Sequence, residues 1–464
     1  MNIRLVRWSI VLILANVVAD VVVGSPMMVI PQLLDHFDTV EGAWLTGSAL
    51  FAGAVWSPLL AKAADVHGTR RILVATLLMA CGGALVCAVA PTVWVFLLGR
   101  FLQGAALAAV FLSVALVLQI CPGRAAMAVV GLVTSSSSAV GIAEPVLMAP
   151  VIDQFGYRGV FIAAAVLAAV SAVGVRAVVP ESPIRMPGRV DVAGAVLLGG
   201  GLGGVLGYLS LGGDLGRLSA AMCALLAAGV IALAGWLFRS LRINEPIIDL
   251  RSLSRPLLLT LATLVLAGGA FRCVLQLVGV IGYVPRESGL GYGLGAGESI
   301  AALFATANIG IALGGITAGW LAGRIGPAVP LLGGITVGAA ATFAMIAGVS
   351  ALPVALACVA VLGAAAGAIG ASGYTLATIS AAPEQQGTVA GLVSVVMALG
   401  SVVVTIAGAE ILQAAYVPGL VVAGAPVSTA MGVYVYVAMA GVLLVLAAVP
   451  ALALARGRRE AMAM

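Results

Sequence analysis

The sequence predicts an all-α polytopic membrane protein with 14 transmembrane helices, and three observations carry that prediction. The chain of 464 residues is 62% apolar and only 8% charged, with a mean hydropathy of +1.21, which no water-facing surface can have. Apolar runs of about 20 residues, enough to cross roughly 30 Å of hydrocarbon, recur along nearly its whole length. One tight turn is written twice, as Ala61-Lys62-Ala63-Ala64-Asp65-Val66-His67-Gly68 and Gly319-Trp320-Leu321-Ala322-Gly323-Arg324-Ile325-Gly326, offset by 258 positions. Each copy has a small residue (Ala61, Gly319) for close helix contact and a glycine (Gly68, Gly326) able to take positive φ, so the chain looks duplicated.

In order, the spans fall near 8–33, 43–62, 71–90, 93–119, 128–150, 157–180, 190–210, 218–238, 256–282, 299–321, 328–349, 353–378, 388–412 and 427–454. The first is too long for a signal peptide and has no cleavage site after its apolar core, so it is read as a retained span. An even number of spans puts both termini on one side, and the basic residues say which. Seventeen Lys and Arg, from Arg4 and Arg7 through Lys62, Arg70, Arg71 and Arg324 to Arg459, fall on one set of loops and tails; only Arg158, Arg217 and Arg286 fall on the other. This places both termini in the cytoplasm and the chain in the cell inner (plasma) membrane. The same imbalance accounts for the net charge of +5, with no nucleic acid implied.

Other chemistries are excluded by what the chain carries. Its six cysteines lie in or beside apolar spans without metal-site spacing, and only His36 and His67 are present, so neither a disulfide framework nor a metal site is expected. The run Gly199-Gly200-Gly201-Leu202-Gly203-Gly204 matches a dinucleotide fingerprint formally but lies inside an apolar span; helix packing through Gly199/Gly203 and Gly200/Gly204 is the expected role. The longest loops, near 239–255 and 282–298, cannot hold a soluble catalytic or nucleotide-binding domain. The chain is expected not to be an enzyme, to need no cofactor, and to draw its energy from an ion gradient.

Several segments then point to a family. Ala61 to Leu73 resembles the GxLaDrxGrkxxL signature of the major facilitator superfamily, keeping Asp65, Gly68, Arg70 and Leu73 and departing at Ala61, Val66 and Thr69. Arg100-Phe101-Leu102-Gln103-Gly104 is similar to its RxxQG element. In the fifth span only Pro145 and Gly131 keep their places in the antiporter signature; Val140, Glu144 and Met148-Ala149 stand where glycines would be. Trp44, Pro58, Gly156 to Phe161, Gly188 to Gly194, Glu245 to Leu250 and Gly289 to Gly295 resemble, in order, segments of the 14-span drug:proton antiporters of that superfamily. The first helix departs: Asp20 is present, but the family's LDxTVVNVALP pattern does not continue with correct spacing to Pro31.

The resemblance implies two six-helix bundles, 1–183 and 251–464, joined by a two-helix insertion, 184–250, and rocking around a central cavity. It also implies a gating role at the cytoplasmic rim for Ala61, Asp65, Gly68 and Arg70, with Asp65 tying the bundles together in the outward-facing state. The alternative is that these residues only make tight, positive-inside turns. The second copy lacks the carboxylate, having Gly323 where the first has Asp65.

Charges within apolar spans are costly and mark functional candidates. Five qualify: Asp20, Arg100, Glu144, Arg272 and Glu410. At 1.5 Å per residue, Arg100 and Glu144 both lie about 10 Å below the outer face and Asp20 about 15 to 20 Å. Arg100 is expected to be shared between Asp20 and Glu144, so that moving the guanidinium changes a carboxylate's proton affinity and couples protons to transport. The alternative is a static buried ion pair. Arg272 could contact an anionic substrate group or pair with Glu410. Asn16, Gln103, Gln276 and Asn308 are further cavity candidates, and the hydroxyls of 134–138 are as readily bonded to their own helix.

The expected activity is export of an amphipathic small molecule, a drug or natural product, in exchange for protons, by a protein functional as a monomer in the lipid bilayer. Import by proton symport, and a non-transporting membrane sensor or assembly protein, are the alternatives.

Overall fold

The computed structural model describes residues 3–38, 42–121, 123–183, 191–216, 218–243, 246, 253–282, 284, 290–292, 298–382, 385–422 and 425–463. The predicted segments Gly188 to Val190, Gly289 and Gly293 to Gly295 lie outside the described residues, as do all but Pro246 of Glu245 to Leu250. What is described is almost wholly helical. The helices are α1 (Ile3–Gly24), α2 (Ile30–Phe37), α3 (Gly42–His67), α4 (Thr69–Val89), α5 (Val93–Gln103), α6 (Ala108–Ile120) and α7 (Gly123–Val178). They continue as α8 (Val192–Leu215), α9 (Ala220–Ser240), α10 (Arg255–Gly282), α11 (Glu298–Ile325), α12 (Ala328–Gly348), α13 (Leu352–Ile379), α14 (Gln386–Ala414) and α15 (Ala430–Ala463). Among the described residues, 12 helical stretches are long and apolar enough to cross a membrane, and Val192–Tyr208 is a shorter apolar helix.

The chain divides into two compact units. The first holds Met1–Ser254 together with Thr378–Val395, and the second holds Arg255–Ala377 with Val396–Met464. The start of α14 therefore belongs to the first unit and the rest of it to the second.

Within the first unit, the duplicated turn has the conformation its residues suggest. His67 ends α3, Thr69 begins α4, and Gly68 alone connects them at φ 104°, donating its amide to Ala64 O at 3.0 Å. In the second unit Gly326 takes φ 86° and donates to Ala322 O at 3.0 Å. A side chain at either φ would be strained. The fifth and sixth spans run on as α7, interrupted at Gly156, where φ 59° and ψ −156° are open in practice only to glycine.

The first span departs from expectation. It is not one helix: α1 stops at Gly24, a 3-10 turn covers Ser25–Val29, and α2 starts at Ile30. The cause is local. Pro26 has no amide hydrogen to give to the carbonyl of Val22 four residues earlier, so the helical ladder fails there. The apolar run is continuous through this point and hides the break.

The α8–α9 pair shows why the glycine run exists, in a register different from the predicted one. A Cβ on Gly201 would lie 3.0 Å from Gly229 O, and one on Gly204 2.9 Å from Gly229 Cα, whereas Gly200 faces open space. The contact is thus Gly201 and Gly204 against Gly229, because an i, i+3 spacing keeps both on the face toward α9. α8 also packs on α3.

In the second unit α15 packs against α10 and α12. Gly310 and Gly314 of α11 interleave with Gly363 and Gly367 of α13 so closely that a methyl on any of them would strike the opposing backbone. This is the small-residue spacing by which helices approach without a hydrophobic drive between them. An antiparallel hairpin, β1 (Tyr416–Val422) and β2 (Ala425–Ser428), connects α14 to α15; nothing in the apolar pattern announced it.

Candidate functional site

Two polar assemblies lie in the first unit. The first is built on the break in α1. With Pro26 unable to donate, Val22 O accepts instead from Arg100 Nη1 of α5 at 2.7 Å, and the same nitrogen donates to Gln103 Oε1 at 2.9 Å. Gln103 Oε1 also lies 3.7 Å from Cys87 Sγ of α4. Three residues past Val22, the Ser25 hydroxyl donates to Glu144 Oε1 of α7. The backbone at Gly24 passes so near that a Cβ there would sit 2.6 Å from Glu144 Oε2. Arg100 and Gln103 are fully buried, and Glu144 is 7% exposed.

Six residues before Val22 on α1, the Asn16 amide donates to Val133 O at 2.9 Å, Ser136 Oγ at 2.9 Å and Ser137 Oγ at 3.2 Å, pinning α1 to α7. Asp20 lies beside Ser137 and within electrostatic range of Glu144. In the hydroxyl-rich turn Thr134 bonds back to Val130 O at 2.9 Å and Ser136 to Val133 O at 2.6 Å, while Ser136 and Ser137 also accept from Asn16 of α1.

Arg100 and Glu144 both address residues 22–25 of α1. They are bonded to this one turn, Arg100 through Val22 O and Glu144 through the Ser25 hydroxyl. Nothing in the apolar pattern distinguishes Val22 as the acceptor, although Pro26 four residues on is a usable signal.

The second assembly surrounds the α3–α4 turn. Both Asp65 oxygens are acceptors: Oδ1 from Gly387 N at 2.8 Å, Oδ2 from Thr388 N at 2.9 Å and Thr388 Oγ1 at 2.6 Å. A carboxylate against the first amides of α14 satisfies donors that a helix start leaves open and meets the positive end of its dipole. Ala61 is buried beside Gly391 of the same helix. On the other side of the turn, Glu181 accepts from Arg70 N at 3.0 Å and lies 3.6 Å from Arg70 Nε and 3.8 Å from Arg71 Nε. Arg70 Nη1 also donates to Val179 O at 3.0 Å, and a Cβ on Gly68 would lie 3.0 Å from the Glu181 carboxyl. Thr388 and Glu181 escape sequence reading because each meets its partners more than 100 positions away.

The other candidates lie in the second unit. Arg272 and Gln276 are exposed on α10, Glu410 is exposed on α14, and Asn308 is half-buried on α11. Ala270, Cys273, Val274 and Leu277 form the buried stripe of α10, and positions 272 and 276 fall off that i, i+3, i+4, i+7 face. On α14 the buried positions 404, 408 and 412 leave 410 on the opposite side.

A long series of apolar helices with ionisable groups held inside them defines a multi-pass membrane protein. The family profile described as Major Facilitator Superfamily matches residues 12–405, and the chain belongs to that superfamily of transporters. Among curated relatives, it is 27% identical over 314 residues to the uridine/deoxyuridine transporter of Lactococcus lactis, covering 65% of this chain and 64% of the relative. It is 27% identical over 300 residues to the multidrug resistance protein Stp of Mycobacterium tuberculosis, covering 63% and 54%. It is 30% identical over 236 residues to the lincomycin resistance protein of Streptomyces lincolnensis, covering 49% and 48%. The matched region thus spans about half to two thirds of each of these relatives. The human organic anion transporter MFSD10 has a similar fold, with a TM-score of 0.65 at 17% identity over 96% of this chain and 99% of its own. So has the proton:xylose symporter XylE, with a TM-score of 0.59 at 14% identity over 96% and 94%.

Proposed function

We propose that the protein is a proton-coupled secondary active transporter that exports an amphipathic small molecule, a drug or a natural product, by alternating access. The observation that carries this reading is the meeting of Arg100 and Glu144 on one turn of α1, with Asp20 close behind. Fixed charge of both signs inside a membrane helix bundle is expensive to keep. It has a use when a shift of the guanidinium relative to a carboxylate changes which of them holds a proton. Asp65, bound to Gly387 and Thr388, serves as a latch that opens and closes during the cycle. The names of the Mycobacterium and Streptomyces relatives favour export.

The arrangement that goes with this function is 14 spans, two six-helix bundles with a two-helix insertion, both termini cytoplasmic, in the plasma membrane and working as a monomer. The test is proton-driven transport in inside-out vesicles across a panel of amphipathic compounds. Loss of coupled flux in Asp20→Asn and Glu144→Gln is expected; full retention in both refutes proton coupling at this cluster.

Import by proton symport is the second reading, favoured by the nucleoside transporter of Lactococcus lactis and by the degraded fifth-span signature around Glu144. Accumulation of uridine or another solute driven by an inward proton gradient would establish it in place of export.

A further inference from the structure

We infer that Pro26 is a positioning residue whose missing amide hydrogen makes the 22–26 turn of α1 a joint linking Arg100 to Glu144. Three observations bear on it. Val22 O, the acceptor an ordinary residue 26 would use, is held by Arg100 Nη1 at 2.7 Å. The turn that replaces the helix, Ser25–Val29, carries the Ser25 hydroxyl away from its own helix and onto Glu144. Gly24, between the two, has no side chain, and a Cβ there would meet the Glu144 carboxylate at 2.6 Å. Four consecutive residues thus give an acceptor to the buried cation, room for the buried carboxylate and a donor to it.

Each of these depends on the helix staying broken. With an amide at position 26, Val22 O regains its intrahelical partner and competes with Arg100. As the helix continues through Ser25, the hydroxyl falls within reach of the carbonyl four residues back, the usual partner of a helical serine. The joint therefore has two settings, broken with Arg100 and Glu144 both engaged, or continuous with both released. The other ionisable groups facing it are Asp20 on α1 and Cys87 on α4, the latter interacting with Arg100. Neither is bonded to the 22–26 backbone by any contact named here.

The inference rests on the proposal that Glu144 takes up and releases a proton, and the test separates the two. The full-length protein is reconstituted into phosphatidylcholine:phosphatidylglycerol vesicles and treated with dicyclohexylcarbodiimide, which modifies protonated buried carboxyls. Labelling at Glu144 is read by mass spectrometry as a function of pH. If wild-type labelling does not change with pH at all, the proton reading of Glu144 fails. Given a wild-type midpoint, Ser25→Ala is expected to displace it by about one pH unit, the worth of one hydrogen bond to a charged group. Pro26→Ala is expected to displace it in the same sense and by a similar amount, and the double variant by no more than either alone. An unmoved midpoint in Pro26→Ala, or displacements that add in the double variant, overturns the joint. Pro26→Gly supplies the same amide with less helix preference; it should displace the midpoint in the same sense, and it decides the question if Pro26→Ala is not monodisperse.

Discussion

Asp65 and Thr388 are bonded twice through a single oxygen: Asp65 Oδ2 accepts the Thr388 amide at 2.9 Å and the Thr388 hydroxyl at 2.6 Å. With Gly387 donating to Oδ1 at 2.8 Å, the carboxylate makes three charge-assisted bonds to two residues of one helix start, and Asp65 is 2% exposed. The pair is far apart in sequence and needs no side chain from its partner beyond one hydroxyl.

Asp65→Asn keeps the size of the group but turns one acceptor oxygen into a donor facing donors. It should destabilise the protein by roughly 1–3 kcal/mol, the range for a lost bond to a charge with its buried partner left unsatisfied. Thr388→Val should cost less, about 1 kcal/mol, because the two amides still reach the carboxylate. Thermal melting of the detergent-solubilised protein orders the two; equal melting temperatures for both variants would contradict the assignment.

Arg100→Lys should not substitute for arginine. One nitrogen of the guanidinium serves both Val22 O and Gln103 Oε1, and a lysine's shorter stem with its compact, strongly hydrated head does not reproduce that planar reach. Proton flux in vesicles should fall at least tenfold in Arg100→Lys and no further in Arg100→Ala. Near wild-type flux in the lysine variant would show that charge alone is needed.

Gly156→Ala should lower stability by roughly 1–3 kcal/mol, since φ 59° with ψ −156° is available in practice only to glycine. The added methyl would also press on Gln32 Oε1 at 3.2 Å. Gly200→Ala, on a helix position facing open space, is the control and should melt with the wild type or slightly above it.

Gly229→Leu should separate α8 from α9, because Gly201, Gly204 and Val205 approach its Cα within about 3 Å of where a Cβ would stand. Crosslinking of cysteines introduced at lipid-facing positions of the two helices should drop several-fold. Undiminished crosslinking would mean that the pair is held from elsewhere, for example by Arg239 and Asp191, 2.9 Å apart where α9 ends beside the start of α8.

Much of this was legible in the residues. Apolar runs located the helices; the repeated glycine at 68 and 326 announced a backbone conformation both turns adopt; and Arg100 and Glu144, singled out as charges within apolar spans, both meet one turn of α1. The failures share a cause, which is that they depend on what lies opposite. Glycines 199 to 204 all look alike in sequence, and only the position of Gly229 selects 201 and 204. Glu181 and Thr388 are ordinary residues made important by partners that no local spacing indicates. The break at Pro26 is different, since the proline was in view. Its effect was masked because residues on both sides are apolar, and hydropathy reads composition rather than hydrogen bonding.

The turn at Gly68 has no slack. His67 is the last residue of one helix and Thr69 the first of the next, so the connection cannot absorb a change in length. One added residue would rotate α4 by about 100° about its own axis. Arg70 and Arg71 would turn away from Glu181, and the buried side of α4, with Leu73, Leu77 and Ala84, would swing toward lipid. A connection this short keeps two helices in phase, and an epitope or reporter spliced into it would misalign the whole of α4.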